Sequence, residues 1–187
     1  MPCIRSKMAS KKIALIGSGN PLFKDEGLGV FVSRYLHVNY TFSQPIEFVD
    51  GSTLGLDLQN YIQDYDKLII INTNSDSSLK AGTITIKELD EFLKGQTTKQ
   101  TASEVIMAEM IQVCMFAGDI ADMLFISITP EDLISVEIGL SRHLITIWDN
   151  LIQGVLDQIR NLNINMVKVN AIPIEDMFSL DFYVPTR

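Results

Sequence analysis

A chain of 187 residues, 47% hydrophobic and 20% charged, is long enough for one sizeable core and too short for two comfortable domains. Its formal net charge of −8 disfavours nucleic acid and anionic membrane as partners, because phosphate binding needs a basic face and none is visible. Two cysteines, Cys3 and Cys114, make neither a disulfide framework nor a thiolate metal site, and no apolar run reaches the roughly 18 residues of a membrane-spanning helix. A cytoplasmic protein is expected. Residues 1–10 lack the apolar middle of a signal peptide and read as an extension before a single domain spanning 11–187.

Residues 13–17 form a short apolar run ending in glycine, the pattern of a buried parallel strand. From Glu26 onward Leu28, Phe31, Val32, Tyr35 and Leu36 recur at three- and four-residue spacing, which predicts a helix with Asp25 as its cap and Glu26 in its positive first turn. Residues 46–49 read as a second strand, 50–53 as its turn and 54–62 as a second helix. Residues 67–72 carry four consecutive apolar β-formers and end on a polar residue, which predicts a central strand. After a loop over 73–81, residues 82–87 alternate with period two, as an antiparallel edge strand does.

Residues 97–101 are polar and read as a loop. The spacing then predicts a helix over 103–116 with Val105, Ile106, Met110, Val113 and Cys114 on its buried face; Met107 and Met115 are assigned to the core as well. A strand over 123–128, the joint Thr129-Pro130-Glu131-Asp132 and one long helix over 137–159 follow. Residues 166–169 suit a further strand, and 176–187 give no signal. Strands alternating with helices predict an α/β/α sandwich with a mostly parallel sheet and an antiparallel edge strand.

Two acidic residues, Asp25 and Glu26, stand where the first strand hands over to the first helix, and open α/β sheets hold ligands outside the carboxyl ends of their strands. A dinucleotide site fits poorly. The fingerprint G-x-G-x-x-G needs glycine where this chain has Leu22, and the helix starts too late to meet a pyrophosphate. Ser103, His143 and an aspartate make no triad signature without a G-x-S-x-G elbow. Asp25, Asp50, Asp76 and Glu104 could face one crevice as an all-oxygen site for magnesium or manganese, although such residues commonly serve as caps and turn formers. His37 suits the negative end of the first helix, and His143 a surface or groove contact.

The chain resembles the hydrogenase maturation endopeptidases, nickel-dependent proteases that trim the carboxyl-terminal tail of the large subunit of [NiFe] hydrogenases. The resemblance rests on Ile16-Gly17-Ser18-Gly19-Asn20-Pro21-Leu22 with Asp25-Glu26-Gly27-Leu28-Gly29, and on Val49-Asp50-Gly51-Ser52-Thr53-Leu54-Gly55. The segment 66–71, Ala81-Gly82-Thr83, Thr129-Pro130-Glu131 and Glu137-Ile138-Gly139-Leu140-Ser141 follow in order.

The resemblance implies a three-residue metal site: a carboxylate in the first glycine-rich segment, an aspartate ending the third strand and a histidine opening a later helix. Here those positions carry Glu26, Asn72 and Ser103. It further implies nickel as the metal and a hydrogenase large-subunit precursor as the partner, with Asp50, Gly51, Asn72 and Ser103 lining the precursor groove. An amide oxygen and a hydroxyl supply neither the nitrogen donor nor the charge that favours nickel. Two functions from different classes follow: a maturation endopeptidase, and a non-cleaving homologue that serves as a binding or assembly factor for a hydrogenase or related metalloenzyme.

Overall fold

The computed structural model describes residues 11–52, 54–95 and 101–181. The expected amino-terminal extension, most of the loop over 97–101 and the end of the chain lie outside the described residues. The five-stranded sheet comprises β1 (Ile13–Gly17), β3 (Glu47–Asp50), β4 (Lys67–Thr73), β5 (Ile84–Glu88) and β6 (Asp122–Ile128), in the order β3-β1-β4-β6-β5. All neighbours run parallel except β5, which pairs antiparallel with β6 at one edge. The apolar run 67–72 is thus the middle strand, and the period-two segment is the edge strand, as their patterns predict.

Alternation along these strands feeds two cores. Leu15, Ile69, Ile71, Ile126 and Ile128 face α1 (Leu28–Asn39), α5 (Arg142–Thr146) and α6 (Trp148–Asn161). Ala14, Ile16, Leu68, Ile70, Met123 and Phe125 face the opposite layer of α2 (Leu58–Asp64), α3 (Leu89–Lys94) and α4 (Ala102–Ala117). The same parity places Asn72 and Ser127, partners in the β4–β6 register, on the α4 face. Among the described residues, no helix is long and apolar enough to cross a membrane.

Several expectations need correction. The first helix begins at Leu28, after a 3-10 turn over Lys24–Gly27, and Asp25 caps nothing. The long helix over 137–159 is instead a loop followed by two helices, because residues 131–141 are tied back to the first glycine-rich segment. Phe23 bridges Glu137 in parallel, and the Lys24 amide donates to the Glu137 carbonyl at 2.8 Å. The strand near 166 exists as β7 (Met166–Lys168), but it pairs with β2 (Tyr40–Phe42) in a separate two-stranded sheet. The face assigned to α4 is largely the wrong one. Met107, Ala108, Ile111 and Cys114 are buried, whereas Val105, Ile106, Val113 and Met115 are exposed.

Candidate functional site

The site forms at the carboxyl edge of β1, β4 and β6, where the first helical layer must approach the sheet closely. Gly29 makes that approach feasible, since a Cβ there would lie 2.2 Å from the Ile71 carbonyl oxygen and 2.3 Å from that of Ser18. Gly19 turns the chain at φ +139°, where a Cβ would fall 1.9 Å from the Glu26 carbonyl oxygen. These glycines therefore set the position of Asp25 and Glu26 above the sheet.

Adjacent in sequence, the two carboxylates have different tasks. Asp25 is fully buried. Its Oδ2 accepts from the amides of Glu131 and Asp132, each at 2.9 Å, and its Oδ1 from the Ser141 amide at 2.6 Å. It is a pin that holds the loop after β6 against the loop after β1. Glu26, also buried, reaches α4, where the Ser103 hydroxyl donates to its Oε1 at 2.9 Å. Residues 77 apart in sequence thus meet directly.

Asn72 lines the same narrow cleft as Ser103, together with Ser18, Phe92, Glu104 and Met107. Each of its amide atoms has a partner within the protein: Oδ1 accepts from the Ser127 hydroxyl at 2.8 Å and Nδ2 donates to the Thr73 carbonyl at 2.9 Å. Asp50 does not join this group. It lies on the α1 side of β3, where Arg34 donates to its Oδ2 at 2.6 Å and Ser52 holds its Oδ1. Gly51 donates its amide to the Gly17 carbonyl and serves close packing of β1 and β3.

The alternative all-oxygen set is dispersed. Asp76 closes an Asx turn on Ser78, whose hydroxyl and amide hydrogen bonds lower its pKa. Glu104 closes a capping box with Thr101 and accepts from Ser75; burial raises its pKa despite those bonds. Thr101-Ala102-Ser103-Glu104 carries the S/T-x-x-E signature of such a box, so the true helix start was readable. His37 packs edge-on against Phe48 with ring centroids 5.0 Å apart, and His143 is exposed on α5.

A nickel ion does not fit this donor set. Glu26 offers the one charged group among the three positions, with Ser103 already bonded to its Oε1. Asn72 has both amide atoms committed within the protein, and neutral oxygen donors hold nickel weakly. Among the described residues, no three His, Cys, Asp or Glu side chains form a metal-holding group.

A family model described as hydrogenase maturation protease matches residues 30–158. The chain belongs to the hydrogenase maturation protease family. Hydrogenase 2 maturation protease of Escherichia coli (strain K12) is 26% identical over 162 residues, covering 86% of this chain and 98% of that protein. The hydrogenase expression/formation protein HupD of Rhizobium leguminosarum bv. viciae is 32% identical, over 65% of this chain and 61% of its own length. The chain therefore spans about three fifths of that relative. The hydrogenase maturating endopeptidase HybD from Escherichia coli superposes with a TM-score of 0.74 at 25% identity, covering 84% of this chain and 97% of that structure. The [NiFe] hydrogenase maturation protease HybD from Thermococcus kodakarensis, at 18% identity and a TM-score of 0.63, shares the fold. Within this maturation-protease fold, the Glu26–Ser103 contact and the nearby Asn72 occupy the crevice at the carboxyl edge of the sheet.

Proposed function

We propose that this chain acts in [NiFe] hydrogenase maturation on the carboxyl-terminal region of a large-subunit precursor, which it receives at the crevice lined by Asn72 and Ser103, with Glu26 bonded to Ser103. The observation that carries this reading is the convergence of these three positions. They are distant in sequence and implicated by the family resemblance, yet two are in hydrogen-bonding contact and the third lines the same cleft. A crevice at the strand carboxyl ends is where this architecture takes its ligands.

The chain's own residues set what it does there. Glu26 presents a carboxylate oriented by the Ser103 hydroxyl, able to accept from a backbone amide or a cationic side chain of the incoming tail. Asn72 holds the floor of the cleft rigid through Ser127 and Thr73. Asp25 pins the loop over 131–141 to the first glycine-rich segment, next to Glu26 in the chain. Any nickel at this site belongs to the precursor as cargo, because the resident donors do not suit it.

A second reading, binding without cleavage, rests only on the neutral, internally bonded Asn72 and Ser103 and is not favoured by the maturation-protease relatives; one experiment separates the two. A nickel-loaded large-subunit precursor is incubated with the chain and followed by intact mass, with binding measured in parallel. Release of a carboxyl-terminal peptide identifies a protease; binding with unchanged mass identifies an assembly factor. Absence of both, with binding equally absent for Glu26→Gln, contradicts the proposed function.

A further inference from the structure

The crevice between the sheet and α4 is shut. Ile70, Asn72 and Phe125 on one side meet Ser103, Glu104 and Met107 on the other, and the space between them has no room for a water molecule. A peptide tail enters only if one side gives way. The strand side is the middle of the sheet, where β4 pairs along its length with both β1 and β6. The side that moves is therefore α4.

The helix is held unevenly. From Met107 onward its inner side chains, Met107, Ala108, Ile111 and Cys114, are buried in the core, whereas the first turn over 102–106 buries no apolar side chain. Hydrogen bonds fasten that turn. The Ser103 hydroxyl donates to Glu26 Oε1 at 2.9 Å, the Ser75 hydroxyl to Glu104 Oε2 at 3.1 Å, and Thr101 and Glu104 close their capping box. A segment with few buried apolar contacts opens at lower free energy than the rest of the fold.

The Ser103–Glu26 bond decides when it opens. Glu26 is 9% exposed, and among the described residues the Ser103 hydroxyl is the one donor bonded to its carboxylate. Opening without a replacement donor leaves a buried carboxylate unpartnered, which is unfavourable. A backbone amide or cationic group of an incoming tail offers Glu26 that replacement. We infer that the first turn of α4 is a latched shutter over the precursor site: the Ser103 hydroxyl holds it closed on Glu26, and the tail opens it by taking the place of Ser103 on that carboxylate. The inference rests on the proposed function and adds a gating step to it.

Residue-resolved hydrogen exchange on the free chain and affinity for a nickel-loaded large-subunit precursor test this together, with Ser103→Ala removing the latch. Alanine is the better helix former, so on helix propensity alone the substitution slows exchange in the first turn. The shutter predicts the reverse. The amides of Glu104 and Val105, which donate to Thr101, are expected to exchange several-fold faster than in the wild type, with that of Ile111 unchanged. Because the closed state competes less, the variant is also expected to bind the precursor several-fold more tightly. Unchanged or slower first-turn exchange in Ser103→Ala, or precursor affinity equal to or below that of the wild type, overturns the inference while the proposed function stands. Failure of the wild type and Ser103→Ala alike to bind the precursor overturns the proposed function, and the gating step with it.

Discussion

Asp25 shows how much a single carboxylate can organise. Three backbone amides from residues 131, 132 and 141 converge on it in a fully buried position. Asp25→Ala strands those donors and is expected to cost on the order of 3 kcal/mol, a fall in melting temperature of roughly 6–12 °C for a chain of this size. Thermal denaturation followed by circular dichroism checks it. Asn72 and Ser103 bear on the metal chemistry instead. Replacing Asn72→Asp together with Ser103→His supplies a second charge and a nitrogen donor beside Glu26, and is expected to create one-to-one nickel binding that calorimetry detects and the wild type lacks. At this scale the sequence marked Glu26, Asn72 and Ser103 through the family resemblance, and the structure brings them together. It could not mark Asp25 as a pin or send Asp50 to the α1 face, because both depend on partners more than ten residues away, Glu131 and Ser141 for one and Arg34 for the other.

Among the elements, α1 and the loop after β6 bear most directly on the site. Gly29→Ala forces a methyl group into the Ile71 and Ser18 carbonyls and is expected to cost at least about 2–3 kcal/mol, read from denaturant unfolding. The loop's turn is held by Asp132, whose carboxylate accepts from the Ser135 hydroxyl and from the amides of Ser135 and Ile134. Led by the Ser135 bonds and aided by Lys24, these contacts lower its pKa from 3.8 to about 2. A depressed carboxylate stabilises the fold above its unfolded value and loses that contribution as pH falls through the folded one. Protection of the Ile134 amide from hydrogen exchange, taken relative to its intrinsic rate at each pH, is therefore expected to fall between about pH 4 and pH 2, and Ser135→Ala to move that window upward. Glu104, raised by burial, acts in the opposite sense, its contribution falling away as pH rises through its elevated value. Parallel strands were legible from their apolar runs, since both of their faces are buried. The inward side of α4 was not, because apolar residues surround it and periodicity then has no contrast to report. The supposed helix over 137–159 failed where Asp25 and Phe23 hold its first residues in a loop.

For the whole molecule, one sheet divides two cores and leaves a crevice at the carboxyl edge of β1, β4 and β6, flanked by the start of α4. The fold follows from the alternation of strands and helices, and membership in the hydrogenase maturation protease family agrees with it over residues 30–158. The donors at the centre do not suit a resident nickel ion, so under the proposed function the metal arrives with the precursor. Intact-mass analysis of a nickel-loaded large-subunit precursor, with binding to the wild type and Glu26→Gln measured alongside, tests this most directly. The account predicts tight binding by the wild type, at least tenfold weakened by Glu26→Gln, with any loss of carboxyl-terminal mass confined to precursor already carrying nickel. Equal affinity of the two proteins for the precursor, or removal of the tail from a nickel-free precursor, would contradict it.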